Sequence, residues 1–150
     1  MVRIAERAAA TDVLDHPLTR AEILGWLRET HGARLEDLWR QADVQPRDVK
    51  VAQIYDAFTP LIPFSLEAFG FCKQGEGGAF TENGAIEMGG RLPVNTSGGS
   101  LSEAYIHGMN LVIEGVRQIR GTSTAQVPNA DVCLVTSAYV VPTSGVLLRR

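Results

Sequence analysis

Residues 95–110 read NTSGGSLSEAYIHGMN. Paired glycines, Gly98 and Gly99, lead into a serine-rich turn, and apolar residues then recur at 106, 109, 112, 113, 116 and 119. That 3.6-residue period predicts an amphipathic helix, capped by Ser100 or Ser102 and terminated by Gly121. Tyr105 falls in its predicted first turn, where unpaired N–H groups and the positive end of the helix dipole would stabilise a phenolate. A phenol titrates at about pH 10 in model peptides, so Tyr105 is a proton-transfer candidate. The alternative is an ordinary ring packed at a helix end. Gly98 and Gly99 allow a ligand to approach the backbone, and their amides could face a developing oxyanion. Asn95, at the head of the stretch, joins them as a polar substrate-side candidate.

Outward from this stretch the chain reads as alternating strands and helices. VKVAQIYDAF (49–58) is a predicted strand, followed by Thr59 as N-cap, Pro60 as N1 and a helix ending at Gly70. Tyr55 sits at the C-terminal end of that strand, where open α/β sheets build their sites; a core position is the alternative. DVQPRD (43–48) is turn chemistry. Between 75 and 90 the glycines are dense, which predicts a loop or small hairpin and no packed helix. DVCLVTSAYVV (131–141) is too apolar for an edge strand, and GVLLRR (145–150) is its candidate partner after a turn over 142–145. Upstream, VRIAERAAA (2–10) reads as a strand, and 18–42 as helical with a break at Gly32. This order predicts one α/β layer domain spanning 1–150.

Composition excludes several function classes. With 45% hydrophobic residues the chain can bury one ordinary core. A net charge of -3, without a basic block, argues against a nucleic-acid surface. No apolar run approaches the roughly 18 residues of a membrane span, and the N-terminus lacks a signal-peptide core, so a cytoplasmic location is expected. The two cysteines, Cys72 and Cys133, form no CxxC pair and read as reduced, buried thiols. His16, His31 and His107 lack metal-ligand spacing, so no metal site is expected. His107, two residues from Tyr105, should point to another helix face in a structural role. GEGG (75–78) lacks the lysine and serine or threonine that complete a phosphate loop.

YDAFT, GFCKQGEGGAF, GGRLPVNTSGGSLSEAY and the run through VRQIRG together resemble the C-terminal half of thiolase-fold enzymes. The similarity is strong over about residues 40–137. It points to the lipid-transfer or sterol-carrier branch that includes the steroid side-chain aldolases of actinobacteria. The implied fold is α/β: a thiolase-like C-terminal half, a mixed sheet with helices packed on it. Ordinary thiolases carry a histidine in a GHP motif where Tyr105 stands here, and an asparagine or histidine where Tyr55 stands. Their C-terminal CxG loop should fall around Thr136–Tyr139, where TSAY has neither the cysteine nor the glycine. Claisen chemistry is therefore not expected.

The aldolase branch implies retro-aldol cleavage of a β-hydroxyacyl-CoA. One phenolate takes the proton of the tertiary hydroxyl, electrons flow into the thioester, and the second tyrosine protonates the resulting carbanion. No covalent acyl-enzyme is required, and coenzyme A enters only as part of the substrate, with no bound cofactor. The family's products are a ketosteroid and a short acyl-CoA. The resemblance also implies partners: an N-terminal thiolase half, expected on a separate chain, or a second copy in its place, and an OB-fold zinc-ribbon protein. The alternative function is a non-catalytic acyl-CoA-binding or assembly module; a condensing enzyme using Cys72 comes last.

Overall fold

The computed structural model describes residues 38–103, 106–137 and 144–150. The strand expected at 2–10 and the break at Gly32 lie outside them, while 38–42 is helical as expected. Three strands form a mixed sheet: β1 (Val51–Ile54), β2 (Val132–Thr136) and β3 (Gly145–Arg149), in the order β1-β2-β3. β1 runs parallel to β2, with Ile54 opposite Thr136, and β2 pairs antiparallel with β3. The expectation that the 131–141 run is central and that 145–150 is its partner holds. β1 is shorter than expected, 51–54 against 49–58, and β2 covers 132–136 of the expected 131–141, whose last four residues lie outside the described ones.

The sheet is covered on both faces. Alternation sends Ala52, Ile54 and Leu134 into one core with Trp39, Leu66 and Phe69. It sends Val51, Cys133 and Val135 into the other with Leu111 and Val127. Burial on both sides leaves all four residues of β1 inaccessible, including the polar Gln53.

Helix α1 (Leu61–Ala68) follows β1. It begins one residue later than expected, with Pro60 at the N-cap and no side-chain cap. Backbone bonds replace that cap: the N–H groups of Leu61 and Ile62 donate to Phe58 and Thr59 carbonyls at 2.9 and 3.3 Å. Its end matches expectation. Gly70 is left-handed at φ 79°, and the N–H of Phe71 donates to the Leu66 carbonyl at 2.9 Å, a Schellman closure.

Two further expectations are corrected. The glycine-dense stretch contains a short packed helix, α2 (Gly77–Phe80), whose first N–H donates to Glu67 Oε1 at 2.9 Å. A Cβ at residue 77 would lie 2.3 Å from the Pro63 carbonyl oxygen, so glycine here serves close approach and not looseness.

The helix expected to start at Ser100 or Ser102 is α3 (Met109–Arg120), with left-handed Gly108 at its N-cap. Left-handed torsions at His107 and Gly108, φ 52° and 81°, prevent the helix from continuing upstream. Its expected end at Gly121 holds. Its inward face is mostly polar: Asn110, Leu111, Glu114, Gly115 and Gln118 face inward, while Met109, Val112 and Ile113 are exposed.

Candidate active site

Parallel pairing puts the C-terminal ends of β1 and β2 side by side, and the chain leaves β1 into Tyr55. The Tyr55 N–H still donates to the Thr136 carbonyl at 3.2 Å, so its backbone continues the ladder by one residue. Alternation turns its ring to the α3 side of the sheet, partly against the second core. There it lines a cleft of ≈ 430 Å³ with His107, Met109, Val112, Thr136 and Val146. Tyr55 is thus half-buried at a cleft wall and combines both readings open to it from sequence. Gly108 closes against its ring: a Cβ there would meet Tyr55 Cδ2 at 3.0 Å.

The loop over 95–100 is stitched to the same end of β1. Asn95 Oδ1 accepts the Ile54 N–H at 2.7 Å, and Asn95 Nδ2 donates to the Ile54 carbonyl at 2.8 Å. The Asn95 N–H donates to Ala52, beside a parallel bridge between Ala52 and Val94. The Asn95 carboxamide therefore acts as a mimic of a neighbouring strand. Asp56, the residue after Tyr55, is buried, and its Oδ1 accepts the Ser100 N–H at 2.8 Å.

Gly98 and Gly99 are both left-handed, at φ 103° and 67°. The Gly98 N–H donates to the Asn95 carbonyl at 2.8 Å and so closes a turn. Asn95 and Gly98 thus spend these groups on shaping the loop beside Tyr55. Tyr105 lies outside the described residues, as does Tyr139. Helix α3 starts at Met109, four positions beyond Tyr105, so the first-turn field expected for that phenol has no basis in α3.

Three contributors escaped the sequence reading. His107 was expected on a separate face but borders the Tyr55 cleft; the adjacent glycine, marking a chain reversal, was its available signal. Asp56 was visible only as part of the YDAF run. Glu103 accepts hydrogen bonds at Oε2 from Ser97 Oγ at 3.1 Å and Asn110 Nδ2 at 2.9 Å.

Behind the cleft, Glu114 is buried, and its Oε1 accepts from Thr96 Oγ1 at 2.6 Å, Ser123 Oγ at 2.7 Å and Gln118 Nε2 at 2.9 Å. Gln53 Nε2 donates to Thr96 Oγ1 at 3.0 Å, linking β1 to this cluster. Hydrogen bonding of this density makes it possible to bury a carboxylate between helix and sheet.

Neither thiol belongs to the Tyr55 cleft. Cys72 is half-buried, and burial, with the Glu67 and Glu76 charges adding, pushes its thiol up to about 11. Cys133 is fully buried in mid-strand and pushed up to about 12, mainly by desolvation. Both are protonated near neutral pH, which disfavours a cysteine nucleophile. Among the described residues, no cluster of three or more His, Cys, Asp or Glu could hold a metal, and no helix is long and apolar enough to cross a membrane.

The mixed sheet, its two covered faces and the cleft at the parallel strand ends define an α/β layer domain of thiolase-like build. Residues 36–146 match the thiolase C-terminal domain-like family, and the chain belongs to that family. It is 55% identical over 111 residues to a 17-hydroxy-3-oxo-4-pregnene-20-carboxyl-CoA lyase of Mycobacterium tuberculosis, covering 74% of this chain and 29% of the relative. Identity to a steroid side-chain-cleaving aldolase of Thermomonospora curvata is 50% over 113 residues, covering 75% and 29%. The solved structure of an Ltp2-ChsH2(DUF35) aldolase superposes with a TM-score of 0.76 at 45% identity, over 86% of this chain and 32% of that one. The chain therefore spans about three tenths of the length of these relatives.

Proposed function

We propose that this chain is the phenol-bearing C-terminal part of a thiolase-fold lyase. The reaction is retro-aldol cleavage of a β-hydroxyacyl-CoA of the steroid side-chain type. The observation that carries this reading is Tyr55 itself: a phenol at a cleft wall, on the C-terminal end of a parallel strand, in a chain 55% identical to a steroid-CoA lyase.

Tyr55 and Tyr105 are the paired acid and base. One phenolate removes the substrate's hydroxyl proton as the Cα–Cβ bond breaks, and the β-carbon leaves as a ketone. The electron pair passes into the thioester as an enolate, and the second phenol protonates its α-carbon to give the shortened acyl-CoA. One tyrosine has then gained a proton and the other lost one, and transfer between them, direct or through water, resets the site. Asn95, Gly98 and Gly99 form the substrate-side wall facing the enolate. Because the Asn95 carboxamide and the Gly98 N–H are already bonded, their contribution is to hold that wall in shape.

The remainder of the site comes from the N-terminal thiolase half, whichever chain carries it, and coenzyme A arrives with the substrate. The name of the Ltp2-ChsH2(DUF35) aldolase supports a further partner; that this partner is of the OB-fold zinc-ribbon kind rests on the family resemblance alone. A second reading, a non-catalytic acyl-CoA-binding or assembly module, is favoured by the exposed apolar face of α3.

Tyr55→Phe and Tyr105→Phe, each assayed for cleavage in the reconstituted assembly, separate the two. Each substitution should lower kcat by about 100-fold or more, within the range of general acid–base catalysis, without changing the unfolding midpoint. Full turnover in both variants would remove the lyase reading.

A further inference from the structure

Glu103, beyond the glycine loop, is tied to Asn110 in the first turn of helix α3. Glu103 Oε2 accepts from Asn110 Nδ2 at 2.9 Å across seven positions, and from Ser97 Oγ at 3.1 Å in the glycine loop. Asn110 is 6% exposed, and its Oδ1 has no hydrogen-bond partner among the described residues. Leaving a buried amide oxygen unmet costs about 1–3 kcal/mol. The side chain is therefore poorly suited to its surroundings except through the bond to Glu103. Just before Asn110 stand Gly108, whose α-carbon abuts the Tyr55 ring, and His107, which lines the cleft. Both are left-handed, and for the non-glycine His107 such a torsion persists only where its surroundings over-determine it.

We propose that Glu103 is a positioning residue for the proposed reaction. Its carboxylate fixes Asn110 at the start of α3 to Ser97 of the glycine loop and so holds the preceding Gly108 against the ring of Tyr55 and His107 at the cleft wall. This rests on the reading of Tyr55 as a proton carrier. Displacements of about 1 Å at such a wall can cost on the order of 100-fold in rate, so a single part-buried bond of this kind is worth more to turnover than to stability.

The test compares Glu103→Ala, Glu103→Gln, Asn110→Ala and the double alanine variant in the complete assembly, with Tyr55→Phe alongside. Glu103→Ala should lower kcat by about 10- to 100-fold while KM moves less than about threefold. Glu103→Gln keeps an acceptor oxygen and should stay within about threefold of wild type, so it also serves if the alanine variant fails to fold. Asn110→Ala should resemble Glu103→Ala, and the double variant should be no worse than either, as expected of two partners in one bond.

Amide hydrogen exchange gives a readout independent of turnover. Amides within 106–112 should exchange at least about tenfold faster in Glu103→Ala, with those of β1 unchanged. Alanine at 103 with wild-type kcat, while Tyr55→Phe is impaired, would overturn the positioning role. Unchanged exchange would overturn the clamp itself. Full activity in Tyr55→Phe would instead strike the proton-transfer reading, and the exchange comparison would still decide whether Glu103 holds the loop.

Discussion

The space around residue 99 is occupied by two side chains that tie the glycine loop to the end of β1. A Cβ at that position would lie 2.3 Å from Asp56 Oδ2 and 2.8 Å from Asn95 Nδ2, and the backbone there is left-handed at φ 67°. Neither neighbour can yield cheaply, because Asp56 accepts the Ser100 N–H and Asn95 is bonded twice to Ile54. Gly99→Ala should therefore cost roughly 2–4 kcal/mol, adding torsional strain to at least one lost hydrogen bond. Gly78 lies in α2 with open space around it, and Gly78→Ala should change stability by no more than about 1 kcal/mol, in the stabilising direction. Urea midpoints of the two variants measure the contrast. Equal midpoints would mean that the loop yields more readily than its bonding implies.

Helix α3 meets the sheet through Gly115. A Cβ there would lie 2.7 Å from Val135 Cγ2, 3.1 Å from Leu148 Cδ1 and 3.4 Å from Cys133 Sγ. Alanine would gain about 1 kcal/mol of helix propensity but overpack a β-branched neighbour at a cost of about 1–3 kcal/mol. Gly115→Ala should thus lower the thermal midpoint modestly, and a raised midpoint would show that the helix can lift from the sheet. The same helix marks how far the sequence could be read. Its existence, its period and its Gly121 stop were legible, as were the central place of β2 and the pairing with 145–150, because each rests on local pattern or turn chemistry. Which face is buried was not legible. The apolar stripe at 109, 112 and 113 was the natural choice for the core, yet Glu114 and Gln118 face inward because Thr96, Ser123 and Gln126 meet them there. Those partners lie in distant or irregular segments, so no periodicity could announce them. The place of Tyr55 at the end of β1 was legible, whereas the cleft position of His107 and the hydrogen bonds of Asp56 and Glu103 arise from loop closures that only the folded chain brings together.

At the scale of the whole molecule, α3 presents two opposed faces that both need partners. Glu114 and Gln118 on the polar one are met within the domain; the apolar one is left exposed among the described residues. Met109, Val112 and Ile113 lie at i, i+3 and i+4 with 38–56% of their surfaces exposed, and Val146 of β3 borders the same cleft at 51%. An apolar surface of this kind beside a cleft marks an interaction surface. Under the proposed function the occupant is the N-terminal thiolase half. Without it, the chain should self-associate, so light scattering after size exclusion should give a mass above 16.3 kDa at micromolar concentration. Replacing Val112 and Ile113 together by lysine should shift the population to monomer and weaken capture of the N-terminal half by at least about 100-fold, as expected when charge enters the centre of an apolar interface. The thermal midpoint of the monomer should move little, because neither side chain is buried within the domain. A wild-type chain that stays monomeric, or a double variant that still captures the N-terminal half with unchanged affinity, would locate the interaction surface somewhere other than α3.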